Sequence, residues 1–175
     1  GMDAVKLEGG RERAATVEAI VGAGIPVMGH IGLTPQSVHK FGGFRAQGRT
    51  AAAAKHLVED ALILQDAGCF SIVLEAVPAQ LAELISDELA IATIGIGAGV
   101  GCDGQVLVVH DLLGFFDRFT PKFAKQYVQL HAVMAEALAA YRDDVETQAF
   151  PAQEHSIFMD AAEWEELLAL LAEDE

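Results

Sequence analysis

Cys69-Phe70-Ser71-Ile72-Val73-Leu74-Glu75-Ala76-Val77-Pro78 is the stretch that decides the fold class. Phe70–Leu74 is an apolar run of strand length, and it stops on a carboxylate, Glu75. A strand without polar alternation belongs inside a parallel sheet covered by helices. Upstream, Ala51–Ala67 reads as a strong helix closed by Gly68; downstream, Pro78 opens a helix that runs to about Leu89. Ile91–Gly97 is the next buried-type strand. Nearer the start, Asp3–Glu8 alternates, with Val5 and Leu7 on one face and Lys6 and Glu8 on the other, until Gly9-Gly10 ends it. Arg11–Val21 reads as a helix stopped by Gly22 and Gly24, and Pro26–His30 as a short strand. Strand, loop and helix repeat in that order, the pattern of a parallel α/β protein.

Two stretches are less regular. Gly29–Thr50 reads as one long loop, and a loop of that length in a small domain is usually functional, often a lid. Gln105–Val109 could be a strand, but neighbouring parallel strands need a crossover of about a dozen residues. A helix suits the stretch better, with Asp103 as cap, Val106, Val109 and Leu113 on one face and Gly114 as stop. Lys122–Tyr127 then becomes the fifth strand. Val128–Val145 is helical, Phe150-Pro151 breaks it, and Ala161–Leu171 is an amphipathic helix anchored by Trp164, Leu167, Leu168 and Leu171.

No glycine-rich dinucleotide fingerprint follows any strand; Gly95-Ile96-Gly97-Ala98-Gly99 lacks a helix entry behind it. The expected fold is therefore an α/β barrel of the (β/α)8, TIM type, of which this chain supplies about five of eight strand–helix units plus a C-terminal helix. The expected organisation is a partial barrel over residues 1–158 and an acidic helix over 159–175. Because the first strand begins at about residue 4, the front of the barrel is expected to be missing.

Composition narrows the partners. The 175 residues are 52% hydrophobic and carry 26 acidic against 11 basic side chains, a net charge of −15. That sign repels nucleic acid and anionic lipid. No apolar run approaches the ~18 residues of a membrane helix. The start, Gly1-Met2-Asp3, does not look like a secretory signal. Two cysteines, Cys69 and Cys102, make no disulfide framework, and a reducing cytoplasm is the expected location.

Barrel enzymes place their chemistry at the C-terminal ends of the strands. Three such places carry polar residues. Lys6 and Glu8 share a face and suit an anionic substrate beside a metal, or else form a surface ion pair worth little. His30 ends the second strand, where it can donate a hydrogen bond or simply pin the loop. Glu75 follows Ser71-Ile72-Val73-Leu74 directly, partly desolvated as a general base should be, although a carboxylate before Pro78 could also serve the helix start. Cys69 and Cys102 read as small buried residues, His56 and His131 as surface, and His110 and Asp111 as local hydrogen-bonding groups.

Read together, the segments carry a resemblance. Val5-Lys6-Leu7-Glu8-Gly9-Gly10, Gly29-His30-Ile31-Gly32-Leu33-Thr34-Pro35-Gln36-Ser37, Phe41-Gly42-Gly43-Phe44-Arg45-Ala46-Gln47-Gly48-Arg49, Val73-Leu74-Glu75, Thr93-Ile94-Gly95-Ile96-Gly97-Ala98-Gly99, Asp103-Gly104-Gln105, His110-Asp111 and Pro121-Lys122-Phe123 resemble ketopantoate hydroxymethyltransferase, in order, from about residue 1 to Ser156. The resemblance implies a (β/α)8 barrel assembled as a homo-oligomer, a decamer. It implies transfer of a hydroxymethyl group from 5,10-methylenetetrahydrofolate to 3-methyl-2-oxobutanoate, with Mg²⁺ as cofactor, in pantothenate and coenzyme A synthesis. By the same resemblance Glu75 would be the base for the C3 proton, Lys6 and His30 would bind the substrate, and Glu8 would belong to the metal site. The family's two metal-binding aspartates lie on strands before Lys6–Glu8 and have no counterpart here. His39 and Phe44 stand where the family often has Asn and Tyr, and would tune the loop. Two other readings stay open: a related barrel enzyme acting on another 2-oxo acid, and a non-catalytic remnant acting in assembly through the apolar Phe115-Phe116 and Phe119 stretch.

Overall fold

Five strands pair side by side in chain order: β1 (Val5–Glu8), β2 (Val27–Gly32), β3 (Ser71–Glu75), β4 (Ala92–Ile96) and β5 (Gly104–Gln105). All four pairings are parallel. This computed structural model describes residues 1–37 and 46–173, in two compact units, Gly1–Tyr127 and Val128–Glu175. The sheet lies wholly in the first.

The helices between the strands, α1 (Ala14–Gly22), α2 (Ala51–Asp66) and α3 (Ala79–Glu88), follow the expected order. α2 starts at Thr50, whose hydroxyl accepts the Ala53 N–H at 3.3 Å, a cap worth ~1 kcal/mol. All three helices pack on one face of the sheet. Val27, Ile31, Ile72 and Leu74 point into it, and Val17 of α1, Leu64 of α2 and Ile85 of α3 close over them. Each such side chain, essentially withdrawn from water, contributes about 1.5–3 kcal/mol. Gly29 sits beneath Leu64, where a Cβ would meet the leucine methyl at 3.2 Å, so a bare backbone keeps α2 close.

β5 corrects the expectation for residues 105–127. Gly104 pairs with Ile94 and Gln105 with Gly95, so the fifth strand lies there and not at Lys122–Tyr127. The long-crossover rule fails because only two residues pair, and the chain must travel back less than one strand length. Gly97 (φ 63°) and Gly99 (φ 80°) make that tight return, in a backbone region open to glycine. Asp103 does not cap a helix. Its Oδ2 accepts the Thr93 N–H at 2.7 Å and the Thr93 hydroxyl at 3.0 Å, standing in for a strand partner that β5 is too short to provide. The helix shrinks to α4 (Val109–Leu113), and Gly114, at φ 63°, is its left-handed stop as expected. Residues 122–127 instead turn at Pro121–Ala124, and the Tyr127 N–H returns to the Leu112 carbonyl at 2.9 Å.

β2 also runs further than expected, through Gly32, so the loop begins after it. The central part of that loop, including His39 and Phe44, lies outside the described residues. In the second unit, α5 (Leu130–Glu146) and α6 (Ala161–Glu173) match the expected helices. Phe150 meets the Tyr141 ring edge-on at 5.7 Å. Trp164, Leu168 and Leu171, expected to anchor α6, remain about half exposed. Among the described residues no helix is long and apolar enough to cross a membrane.

Candidate functional site

Parallel partners point to the same side of a sheet, so the register alone gathers the polar candidates. Lys6 pairs with Met28, Glu8 with His30, and Gly32 with Glu75. Counting by twos along each strand puts Lys6, Glu8, His30 and Glu75 on the face opposite the helices. The side chains meet there. The Lys6 ammonium donates to His30 Nδ1 at 3.2 Å. His30 Nδ1 lies 3.7 Å from Glu8 Oε1, and His30 Nε2 lies 3.1 Å from Glu75 Oε2. Glu8 Oε2 accepts the Gln36 N–H at 3.0 Å, which ties the loop start to the site. Lys6 thus reaches His30 and not Glu8, and the simple Lys6–Glu8 ion pair is not formed.

Burial singles out His30. Its side chain is 2% exposed, while those of Glu8 and Glu75 keep 16% and 15%. Nε2 is a buried ring nitrogen with no aligned hydrogen-bond partner, although Glu75 Oε2 is within reach. Leaving such a group unpaired costs about 1–3 kcal/mol. The distance is within hydrogen-bond range but the alignment is not, so the two groups are in close contact without a formed hydrogen bond.

The Glu75 backbone is held from both sides. The Leu33 N–H donates to the Glu75 carbonyl, and the Ala76 N–H to the Ile96 carbonyl, each at 2.8 Å. Gly32 (φ 91°) makes the first contact possible: a Cβ there would lie 2.3 Å from the Glu75 carbonyl oxygen. Ala76 is itself left-handed, at φ 50°, an unusual conformation for a residue with a side chain. Sequence reading passed over Gly32 and Ala76. Gly32 carried a usable signal, a glycine two residues beyond a strand-end histidine; Ala76 carried none.

Glu75 opens into a cavity of about 680 Å³ over the ends of β3 and β4. Leu33, Ile96, Phe119 and Phe123 line it, with Lys122 and Asp111 as its other charged groups. The Phe123 ring lies against bare Gly97, where a Cβ would be 2.7 Å from the ring. These wall residues were not recognised as a site in the sequence. In the sequence Phe119 belongs to an apolar stretch suited to an interface and Lys122 and Phe123 to a strand, because the register of this stretch depends on the short return to β5. A smaller hollow of about 310 Å³ lies over Gly9, Gly10, Thr34 and Asp60.

Charge elsewhere is local. Arg11 bonds to Asp60 and to Glu59, at 3.0 Å for the latter, which raises the guanidinium and lowers the Glu59 carboxyl from their ordinary values. Burial pushes the Cys69 thiol up. The Thr93 backbone N–H, and then its hydroxyl, hold the Asp103 carboxyl below its ordinary value. His110 packs against Phe115 at 5.2 Å. Among the described residues no three His, Cys, Asp or Glu side chains converge as a metal site.

Residues 1–153 match the sequence profile of ketopantoate hydroxymethyltransferase. A 3-methyl-2-oxobutanoate hydroxymethyltransferase of Oleidesulfovibrio alaskensis is 61% identical over 169 residues, covering 95% of this chain and 58% of its own length. The protein of that name from Syntrophobacter fumaroxidans is 58% identical over 167 residues, 95% of this chain and 59% of its own. That of Moorella thermoacetica is 60% identical over 156 residues, 89% and 58%. The chain therefore spans a little under three fifths of the length of the relatives it matches.

Proposed function

This chain belongs to the ketopantoate hydroxymethyltransferase family, and on that premise we propose that it makes ketopantoate, moving a hydroxymethyl group from 5,10-methylenetetrahydrofolate to 3-methyl-2-oxobutanoate. The observation that carries the reading is Glu75, a carboxylate held at a strand end, 3.1 Å from buried His30 and open to a cavity of about 680 Å³. The oxo acid's C3 proton is acidified by the adjacent ketone, and Glu75 takes it. Lys6 balances the charge of the bound oxo acid; His30, a substrate contact in the resemblance, here turns both ring nitrogens to protein groups, Lys6 and Glu75. A five-carbon oxo acid at Glu75 takes up a small part of the cavity, whose lining does not include Lys6 or His30. The remainder, walled by Phe119 and Phe123, suits the flat ring of the one-carbon donor.

The (β/α)8 reading draws support from the one-sided sheet. Open parallel sheets carry helices on both faces, whereas a barrel keeps them outside and its chemistry at the strand ends. A decameric assembly and a cytoplasmic location belong to the same proposal. Magnesium is the cofactor the resemblance implies, with Glu8 in its surroundings, either as a ligand or as a residue that orients one. Magnesium demands near-octahedral oxygen ligation, and Glu8 brings one carboxylate whose Oε2 already accepts the Gln36 N–H. The described residues do not fit a magnesium site by themselves, and the proton transfer above rests on the chain's own groups.

The test is an assay of ketopantoate formation by the chain, alone and supplemented with a polypeptide carrying the preceding barrel strands of a relative. Glu75→Gln is expected to lower turnover by about 10²–10⁴-fold, the usual share of a positioned base. Undiminished turnover would remove Glu75 from that role. Product formed with the folate omitted would instead favour a barrel enzyme acting on another 2-oxo acid.

A further inference from the structure

His30 occupies an unusual position in this cluster. It is the most deeply buried of the four polar groups, and both of its ring nitrogens face charged atoms: Lys6 Nζ at 3.2 Å and Glu8 Oε1 at 3.7 Å from Nδ1, Glu75 Oε2 at 3.1 Å from Nε2. A lysine ammonium can only donate a hydrogen bond. Where Lys6 donates to Nδ1, that nitrogen must offer its lone pair. It cannot then carry a proton toward Glu8, and a doubly protonated ring would set N–H against ammonium. The ring proton is left on Nε2, the buried atom that lies 3.1 Å from Glu75 Oε2.

We propose that Lys6 fixes His30 in the Nε2–H tautomer, so that Nε2–H holds Glu75 Oε2 and leaves Oε1 free to take the substrate proton. This rests on the reading of Glu75 as the base. It makes His30 a positioning residue and gives Lys6 a second task besides charge balance. The proton taken from substrate ends on Glu75 Oε1, and His30 keeps its own. The oxygen that accepts from Nε2–H is the same before and after the transfer, so the carboxylate need not rotate between the two states.

The tautomer can be read without turnover. Nitrogen-15 NMR of the imidazole rings in the 175-residue chain, with the His30 signals assigned by their loss in His30→Gln, is expected to show Nε2 protonated and Nδ1 as an acceptor. Lys6→Met should release the restraint and admit the Nδ1–H form, now free to face Glu8. An Nδ1–H or doubly protonated His30 in the unaltered protein overturns the proposal. In an active preparation, His30→Gln, whose amide nitrogen can reach the place of Nε2, should lose less kcat than His30→Asn. His30→Asn, which is too short, should lower kcat about a hundredfold, the effect of a misplacement on the order of 1 Å, with KM for the oxo acid little changed. A rise in KM at constant kcat would show His30 to be a substrate ligand only, and would overturn the positioning role. If the tautomer is found but Glu75→Gln turns over normally, the base assignment fails and the clamp has no part in catalysis. If the tautomer is absent while Glu75 stays essential, the clamp alone fails.

Discussion

The two faces of the five-stranded sheet are built from alternate residues of the same strands, yet all four charged or titratable candidates lie on one of them. One face presents Val27, Ile31, Ile72 and Leu74 to three helices and is essentially dry. The other sets Lys6, Glu8, His30 and Glu75 beside Val73 and Ile96, and of those four polar groups only His30 is fully buried. Apolar contact is non-directional and adds up over area, whereas the polar face depends on a few distances near 3 Å. Stability should therefore reside on the first face and activity on the second, and a substitution on one should leave the other's property largely intact.

Leu74→Ala is the largest test of that division in folding terms. Leu74 is fully buried on the helix side, one residue before Glu75. Removing it should cost about 2–5 kcal/mol, read as a lower urea midpoint with unchanged slope. Activity per folded molecule should change far less than in Glu75→Gln. Equal losses in both would mean that the two faces are not separable.

Gly32→Ala attacks the seam between them. At φ 91° and with a Cβ directed at the Glu75 carbonyl, alanine is both strained and crowded. A cost of about 1–3 kcal/mol is expected. Because the displaced atom belongs to Glu75, turnover should fall as well, so this is the substitution for which the two properties move together.

Asp103→Ala is the smallest and carries a pH signature. The Thr93 N–H lowers the folded Asp103 carboxyl below its ordinary 3.8. Its contribution is complete above that value and is lost as pH falls through the lower folded one. The variant should melt earlier than the unaltered chain at neutral pH, and the gap should narrow below about pH 4. A gap independent of pH would assign the effect to packing and not to the charge.

Much of this was legible in residue types. Phe70–Leu74 read as a buried strand, and Glu75 as its polar end, because apolar runs and breakers are local properties. Lys6 and Glu8 fall on one face by parity, whereas His30, expected to end its strand, lies two residues before the end of β2. The fifth strand was misplaced for an equally physical reason. Gly104-Gln105 is too short to show a pattern, and its pairing depends on Gly97 and Gly99 turning the chain back and on Asp103 satisfying Thr93.

By itself the sequence determined the parallel α/β class, the strand-end positions of Glu8 and Glu75, the shared face of Lys6 and Glu8, and the family, since these follow from alternation, breakers and ordered motifs; His30 lies inside β2 and not at its end. The tertiary structure alone decided which charged group His30 faces through each ring nitrogen, that Lys6 turns to His30 and not to Glu8, and that Phe119 and Phe123 wall the space beside Glu75. Those outcomes depend on the register between strands separated by tens of residues and on the path of one glycine-rich return, neither of which any single stretch of sequence encodes.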